Sequence, residues 1–295
     1  MGGIIMDIRT KLFGYVLGDG WIDKRGNGGI SGEEESLRQI IADINTIYGE
    51  GSTGRIRTCN TYSALYDIAG VTSQFTIHTA VTKDLLSLGM PQGKRVYTDY
   101  ELPSWIMEGN NEIKASFISG YYAADGMIPS LQRNQETPKP LSMCFYKNHT
   151  LELSGDRLAE QFSKIIEDLG FTLKVKKSCK WTGDKRIVYT MTINNQRDEF
   201  LQQLRMLDLN YCKYREQRRL QLIKYFELKQ QRLQELRDLR DRVQQLKREG
   251  LSYKQIMSLT NLSYKQIDRM LTGHNKCNRI VGFPKFNQEF IDTYM

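Results

Sequence analysis

The chain has 295 residues, of which 40% are hydrophobic and 26% are charged, and its formal net charge is +8. This composition is typical of a globular protein with enough apolar residues for more than one core. There is no run of 18 apolar residues and no signal-peptide pattern at the N-terminus, so we expect neither a membrane-spanning nor a secreted protein. The expected location is the cytoplasm, an organellar matrix or the nucleoid.

Cysteine and histidine are too sparse for the common clustered metal sites. The chain has five cysteines, widely spaced and without a CxxC pair, and only three histidines. Zinc sites and disulfide frameworks both need such residues at close or regular spacing. We therefore expect neither, and we do not expect a nuclease that binds its metal through His and Cys.

The first part of the chain predicts a helix followed by alternating strands and helices. Residues 10–20 predict a helix that closes on Asp-Gly, and apolar residues at helical spacing in 34–49 predict a second helix. The segments 55–58 and 74–79 alternate apolar and polar side chains, as half-buried strands do. A third helix begins at residue 80 and is expected to end at Gly89.

A second half repeats this order after a Pro- and Gly-containing link at 100–112. Residues 113–126 predict a helix that again closes on Asp-Gly, and 154–171 predict a helix with Ser154 as N-cap and Gly170 as its end. Strands are expected at 172–178 and 186–194, before a closing helix at 196–209. In the strand at 172–178, alternate side chains predict one apolar and one cationic face.

A basic segment follows these two halves. Between Asn210 and Ile280 there are 17 Lys and Arg against 7 Asp and Glu, whereas the first 209 residues are nearly neutral. Nucleic acid is the acidic partner expected for such a segment, although a solvated basic helix would have the same composition. One long helix or two are expected up to Gly250.

A short internal repeat, SYKQI at 252–256 and at 263–267, predicts a helix-turn-helix. Ser252 and Ser263 are expected N-caps. The expected core positions are Ile256, Leu259, Ile267 and Leu271. The predicted division of the chain is a first half at 1–100, a second half at 110–209, a basic linker helix at 210–250, a helix-turn-helix DNA-binding module at 251–280 and a tail at 281–295.

Two segments, LFGYVLGDG at 12–20 and ISGYYAADG at 118–126, resemble the LAGLIDADG motif of homing endonucleases. Each has Gly at the third place, a small residue at the seventh and Asp-Gly at the end. The sixth place holds Leu17 and Ala123 instead of Asp, but this place varies in the family. The two motifs lie 106 residues apart and each opens a similar half, so the chain is similar to single-chain, two-motif members over about its first 210 residues.

The residues themselves give a physical reason for the motif. Small residues four apart, such as Gly14 and Gly18, allow two helix backbones to approach closely. Asp19 and Asp125 would then lie side by side at helix C-termini, which already carry partial negative charge. Cations are expected to offset this repulsion, and Mg²⁺ prefers oxygen ligands of this kind.

The resemblance implies a metal-dependent DNA endonuclease that acts as a monomer and cuts double-stranded DNA at a long specific site. Two or three divalent ions are expected at the motif interface, held by Asp19 and Asp125 and by the carbonyls of Gly18 and Ala124. We expect Mg²⁺, with Mn²⁺ as a substitute and with Ca²⁺ supporting binding but not cleavage. Basic residues beside the metals are common in the family, and by position Lys94 and Lys213 are the candidates, with Arg95 competing with Lys94.

The resemblance also implies an α+β fold of two αββαββα halves whose sheets form a saddle over DNA, followed by the basic helix and the helix-turn-helix. Polar strand residues that would face DNA are candidates for base or phosphate contacts. In the halves they are Arg55, Arg57, Gln74, Thr76, His78, Lys147, Lys174, Lys176, Arg186 and Asn194. In the helix-turn-helix they are Tyr264, Lys265, Gln266 and Arg269.

Two other functions stay open at this point. A transcription regulator with the same layout would bind DNA without cutting it. An intron RNA maturase would use the same two halves in RNA splicing. In regulators of this layout the acidic residues of the motifs are typically replaced, so the presence of both aspartates favours cleavage. The pair His274–Asn275 is similar to an intein C-terminus but is followed by Lys, and we expect a free-standing or intron-encoded protein.

Overall fold

The computed structural model describes residues 8–63, 68–133, 136–180, 185–194, 199–272 and 283–294. The pair His274–Asn275 lies outside these residues. The chain divides into two compact units: unit 1 comprises Met1–Gln132 and Thr137–Leu220, and unit 2 comprises Arg133–Glu136 and Gln221–Met295. Among the described helices none is long and apolar enough to cross a membrane.

The first half of unit 1 has the predicted order of helices and strands. Its elements are α1 (Ile8–Asp19), β1 (Gly20–Ile22), β2 (Gly28–Gly32), α2 (Glu34–Tyr48), β3 (Arg57–Ser63), β4 (Ile68–Ile77) and α3 (Thr79–Ser87). The four strands form an antiparallel sheet in the order β1-β2-β4-β3. The helix α3 ends as expected, because Gly89 adopts a φ of 96° that other residues rarely adopt.

The second half repeats this order. After a 3₁₀ helix (Arg95–Tyr97) and α4 (Ser104–Met107) come α5 (Asn111–Asp125), β5 (Ser142–Asn148), a 3₁₀ helix (His149–Leu151), α6 (Glu152–Asp168), β6 (Leu173–Lys180), β7 (Arg186–Ile193) and α7 (Glu199–Met206). The sheet order is β5-β7-β6. The counterpart of β1 is reduced to a single bridge between Gly126 and Met143. The α+β fold of two similar halves is therefore confirmed.

The start of α6 differs from the prediction. The helix begins at Glu152, and Ser154 is a buried residue inside it, so the assignment of Ser154 as N-cap was wrong. The Asn148 side chain accepts a hydrogen bond from the Thr150 amide and starts a 3₁₀ turn that continues into the helix. Because this upstream cap sets where the helix begins, α6 starts three residues earlier than it would with Ser154 as N-cap.

Each sheet has one face on the core and one face away from it. In β4, Phe75 and Ile77 are buried under α2, whose own buried residues include Leu37 and Ile40. In β6, the register places Lys174 opposite Thr192 and Val175 opposite the buried Met191. Because successive side chains in a strand point to opposite faces, the predicted cationic face of 172–178 is confirmed for Lys174 and Lys176.

Unit 2 contains most of a 36-residue helix, α8 (Lys213–Arg248), with α9 (Tyr253–Thr260), α10 (Tyr264–Thr272) and α11 (Gln288–Tyr294). One long helix ending before Gly250 was among the predictions. Val243 of α8, Ile256 and Ile267 form a buried cluster. A second cluster in unit 2 is aromatic, because Tyr225 packs edge-on against Phe286 and Phe290.

The two short helices α9 and α10 have the predicted spacing, and the predicted cap of α9 is confirmed, whereas the Ser263 hydroxyl donates to the Gln266 side chain and its role as N-cap of α10 stays a prediction. Ser252 caps α9 in a reciprocal capping box with Gln255, and Asn261 ends it in the left-handed conformation. Leu259, expected in the core, is 53% exposed. The buried face of α9 is centred on Tyr253, Ile256 and Met257, and Leu259 lies about a quarter turn away from that face.

Candidate metal centre at the ends of two packed helices

Helices α1 and α5 pack backbone against backbone, and glycine makes this possible. A Cβ atom added to Gly14 would overlap the carbonyl oxygen of Phe117 and lie 2.9 Å from the Tyr121 amide nitrogen. A Cβ added to Gly120 would overlap the carbonyl oxygen of Lys11 and lie 2.9 Å from the Tyr15 amide nitrogen. The two sets of contacts are reciprocal, so the motif helices are related by a local two-fold arrangement.

The same packing brings the two motif ends together. A Cβ added to Gly18 would overlap the Cβ of Ala124 and lie 3.3 Å from Oδ2 of Asp125. Asp19 and Asp125 are the last residues of α1 and α5, so both carboxylates lie where the C-terminal carbonyls of the helices concentrate negative charge. The structure therefore places these two predicted residues side by side.

The electrostatic environment raises the pKa of both aspartates. Desolvation by the surrounding protein, followed by the charge of Asp125, raises the pKa of Asp19 to about 7. Desolvation raises the pKa of Asp125 to about 6, against the opposing effects of Arg95 and Arg215. Asp19 is exposed and Asp125 is partly exposed, so water can reach the carboxylate pair. Repulsion and desolvation thus make the pair a receptive site for cations.

Two arginines lie against the ends of the motif helices. The Arg95 guanidinium donates to the carbonyls of Gly18, at 2.7 Å, and of Val16 and Gly20. Arg215 Nη1 donates to the carbonyl of Ala123 at 2.5 Å. Among the charges that lower the pKa of each aspartate, Arg215 acts most strongly on Asp19 and Arg95 most strongly on Asp125. Each motif end therefore has one arginine. Of the two arginines, the one that lowers the pKa of each aspartate more strongly belongs to the opposite half.

Arg215 was not among the predicted site residues, and Arg95 was considered only as a competitor of Lys94. In both guanidinium groups the buried Nε lacks a hydrogen-bond partner within the part of the chain that the structure describes. The one signal in the sequence is position, because both arginines follow the last helix of a half by a short interval. Arg215 lies in a run of basic residues, so composition alone could not select it.

The two predicted catalytic lysines have different surroundings. Lys94 is exposed at the start of the 3₁₀ helix Arg95–Tyr97. Lys213 is exposed and forms an ion pair with Glu35. Neither lysine is among the charges that act on the pKa of the two aspartates, where the opposing cations are Arg95 and Arg215. A catalytic role for Lys94 and Lys213 stays a prediction.

The donor set fits a hard divalent cation that completes its shell with water or substrate. Among the described residues there is no group of three or more His, Cys, Asp or Glu that could hold a metal. Asp19, Asp125 and the neighbouring carbonyls offer oxygen donors only. Mg²⁺ is commonly bound by one or two carboxylates together with water and phosphate oxygens. The carbonyl of Gly18 already accepts from Arg95, but a carbonyl oxygen has two lone pairs.

Three of the five predicted DNA-contact residues of the first half, Arg57, Gln74 and Thr76, lie on the sheet face away from the core. Gln74 pairs with Arg57 across the β3–β4 ladder, and Thr76 lies two residues further along the same face. Arg55, Arg57, Thr76 and His78 are exposed. His78 also caps α3, because its Nδ1 accepts a hydrogen bond from the Ala80 amide. Arg57, Gln74 and Thr76 thus share one surface, whereas Arg55 lies beside Glu34 and Arg38 of α2. Contact of all five residues with DNA stays a prediction.

The second sheet has a corresponding face. Lys174, Lys176 and Asn194 are exposed, and Lys176 lies opposite Thr190. Arg186 begins β7 on the same face and is partly buried. Contact of these four residues with DNA also stays a prediction.

Lys147 does not belong to this face. The alternation of β5 points its side chain inward with Met143 and Phe145, and none of its surface is exposed. The prediction that Lys147 contacts DNA was therefore wrong, because a fully buried ammonium cannot reach a phosphate. The error came from the sequence segment CFYKN, in which a lysine follows an apolar run without any sign of which face it takes.

In unit 2, Tyr264, Lys265, Gln266 and Arg269 are all exposed on α10. Tyr264 stacks on Tyr253 with ring centroids 4.8 Å apart. The side-chain oxygen of Gln266 accepts hydrogen bonds from the Ser263 amide and hydroxyl, so this residue also caps its helix. Lys265 and Arg269 lie four apart and therefore project from one side of α10.

Replacing Gly120 by Ala is expected to destabilise unit 1. The added methyl would overlap the Lys11 carbonyl, and backbone atoms on both helices would have to move apart. We expect a loss of about 2–3 kcal/mol in the free energy of unfolding, measured by denaturant titration. Gly32→Ala is the matched control, since its nearest contact would be an ordinary 3.4 Å. Equal effects of the two substitutions would contradict the close approach of α1 and α5.

The aspartate pair should lower the stability of the metal-free protein as the pH rises. The folded state keeps protons on Asp19 and Asp125 between about pH 4 and pH 7, whereas the unfolded chain, with its ordinary value of 3.8, has released them. The free energy of unfolding therefore falls as the pH rises through that range. We expect Asp19→Asn to raise Tm by about 1–3 °C at pH 8 in EDTA, since water screens the exposed carboxylate.

The gain from Asp19→Asn should shrink at pH 5.5, where the parent carboxyl is largely protonated. Differential scanning fluorimetry at both pH values measures the effect, and Glu108→Gln, at an exposed acid of the connecting segment, serves as control. A gain that is the same at both pH values would contradict the raised pKa.

Comparisons with known proteins agree with the motif geometry. Residues 112–205 match the family model of the LAGLIDADG-like domain. The chain is 27% identical over 194 residues to the tRNA-splicing ligase RtcB of Pyrococcus furiosus, a match that covers 62% of this chain and 19% of that protein. The RtcB protein of Methanopyrus kandleri matches to the same extent.

A relative with a different name matches as well. The Replication factor C small subunit of Methanocaldococcus jannaschii is 27% identical over 177 residues, which cover 58% of this chain and 9% of that protein. The chain thus spans about a fifth or less of the length of these curated relatives. Residues 112–205, which include the helix that ends at Asp125, are a LAGLIDADG-like domain, so the family predicted from the Asp-Gly motifs is confirmed over this segment.

Proposed function

We propose that this protein is a metal-dependent endonuclease that cuts both strands of double-stranded DNA at a long specific site. The observation that carries the proposal is the juxtaposition of Asp19 and Asp125 at the ends of α1 and α5. Close helix packing explains the glycines, but it does not explain two adjacent acids whose pKa values are raised. Such a pair lowers stability and is expected where it binds cations for chemistry.

The residues of the chain would perform distinct parts of this reaction. Asp19 and Asp125, with the carbonyls of Gly18 and Ala124, would hold Mg²⁺, which when bound activates water and stabilises charge on the phosphate. Arg95 and Arg215 offset the negative charge of the helix ends and keep the carbonyls in place. Both aspartates lie at the same pair of helix ends, so the two strands of a duplex would be cut close to each other.

The two exposed sheet faces provide surfaces for a long duplex. Arg57, Gln74 and Thr76 lie on one face and Lys174 and Lys176 on the other. Arginine and glutamine can bind base edges in the major groove, whereas lysine more often binds phosphate. We propose that these faces determine the target sequence and that the basic segment after Asn210 adds general attraction to DNA.

The names of the relatives do not favour RNA ligation for this chain. The match covers 19% of an RtcB ligase and also 9% of a replication factor subunit, two proteins with different names. A segment shared by such different proteins supports an activity of the segment itself, and the family of residues 112–205 is the LAGLIDADG-like domain. We therefore base the proposal on the LAGLIDADG geometry.

A cleavage selection tests the proposal. A plasmid library with randomised and genomic inserts is incubated with the purified protein and Mg²⁺, and linearised plasmids are sequenced. We expect a single enriched site and ends with short 3′ overhangs. Specific binding without cleavage in Mg²⁺ or Mn²⁺ would favour the transcription regulator, and preferential binding of structured RNA would favour the maturase.

A further inference from the structure

Lys147 is a buried cation with an unusual set of partners. Its Nζ donates to the carbonyls of Thr98, at 2.6 Å, and Arg95, at 3.3 Å. The ammonium also lies 3.8 Å from the centroid of the Tyr100 ring. Burial lowers the pKa of Lys147 to about 8, so burying this group has a cost that an apolar residue in β5 would avoid. A buried lysine that binds backbone carbonyls is expected to fix the position of that backbone.

The backbone that Lys147 binds belongs to the opposite half. Residues 94–103 follow the last helix of the first half, whereas Lys147 lies in β5 of the second half. The segment is held at further points by the second half, because Arg157 bonds Asp99 and Glu101 and Gln161 accepts from the Leu102 amide. Residues 94–103 therefore cross from one half onto the other, and Lys147 is the contact nearest to Arg95.

From this anchored backbone the Arg95 side chain returns to the end of α1. Its guanidinium binds the carbonyls of Val16, Gly18 and Gly20. Among the charged groups that act on Asp125, Arg95 has the largest effect. A shift of the Arg95 backbone would move this charge relative to both aspartates.

We propose that Lys147 is a positioning residue that sets the place of Arg95 at the aspartate pair, so that the sheet of the second half controls a charge supplied by the first half. This inference rests on the proposed function for its effect on cleavage. Lys147 is fully buried, and it acts through the backbone of residues 95–98, whose carbonyls its ammonium binds.

The other arginine follows a segment with its own buried lysine, because Nζ of Lys11 in α1 donates to Asp208 and Asn210 and lies 4.6 Å from the centroid of the Tyr211 ring. The segment before Arg215 is held by the first half through Tyr211, whose hydroxyl donates to Asp43 at 2.6 Å, and through the Lys213 amide, which donates to Ser36 Oγ at 3.1 Å. Loss of Lys147 should therefore disturb one of the two arginines and leave the other in place. The cleavage rate of one strand should then fall more than the cleavage rate of the other.

The test uses the full chain and the target site in supercoiled plasmid under single-turnover conditions. Lys147→Met is expected to slow one strand about 10–100-fold, so that nicked plasmid accumulates, with a Kd for the target in Ca²⁺ within about twofold of the parent. Lys147→Arg keeps a donor and should restore part of the rate. Arg95→Gln combined with Lys147→Met should be no slower than Arg95→Gln alone. Lys164→Met, at an exposed lysine of α6, is the matched control.

A second measurement does not depend on cleavage. In ¹⁵N-labelled metal-free protein, the Arg95 Nε–H signal is assigned by its loss in Arg95→Gln. We expect Lys147→Met to move that signal by more than its linewidth, while Lys164→Met leaves it in place. An unmoved signal overturns the proposal, as does cleavage of both strands at the parent rate or an effect that adds to that of Arg95→Gln. A moved signal in a parent protein that cuts no DNA supports the positioning role and overturns only the endonuclease.

Discussion

Replacing either Asp19 or Asp125 by Asn is expected to reduce double-strand cleavage by roughly 10³-fold or more. Asn keeps the size of the side chain but removes the negative charge that would hold the metal. Both carboxylates lie side by side at the ends of α1 and α5, so each single substitution should suffice. Gel analysis of nicked and linear plasmid in Mg²⁺ measures the loss for each strand.

Binding should survive these substitutions. The sheet faces that would contact DNA are separate from the aspartate pair, so we expect the Kd in Ca²⁺ to stay within about threefold or to improve, because a negative charge near phosphate is removed. Glu108→Gln, at an exposed acid of the connecting segment, should cut like the parent. Full double-strand cutting by either Asn variant would contradict the assignment of the two aspartates to the proposed metal centre.

Replacing Lys265 and Arg269 together by Gln is expected to weaken DNA binding about tenfold at physiological salt. Both side chains are exposed on one side of α10, where two cations could neutralise two phosphates. The slope of log affinity against log salt concentration should fall by about 1–2. Fluorescence anisotropy over a salt series measures both quantities.

Point substitutions suit this question better than removal of residues 251–295. Ile256 and Ile267 cover Val243, and Phe290 covers Tyr225, so truncation would expose two buried clusters. Lys224→Gln with Arg232→Gln is the matched control, because it removes the same charge from exposed positions of α8. If both double variants lose affinity equally, the helix-turn-helix contributes only general charge and is no recognition surface.

Much of the fold was accessible from local pattern. The alternation of polar and apolar residues in 172–178 predicted which lysines face away from the core, and register with β7 confirmed it. Gly89 and Gly170 ended helices as expected, since both adopt a positive φ. Ser154 and Leu259 were misassigned because an upstream cap and the direction of the buried face depend on neighbours that local pattern does not contain.

The sequence by itself determined that two acids meet at the ends of the motif helices, because two glycine-containing motifs that each close on Asp-Gly require closely packed helices. Only the tertiary structure decided what surrounds this pair of acids. Arg95 and Arg215 lie on segments that cross between the halves, and their guanidinium groups bind carbonyls at the helix ends that carry the aspartates. Lys147 is buried beneath the segment that carries Arg95. Such contacts join residues that are far apart in the chain. Sequence spacing cannot predict them, because the partner of each buried side chain depends on which backbone segment the tertiary fold places next to it.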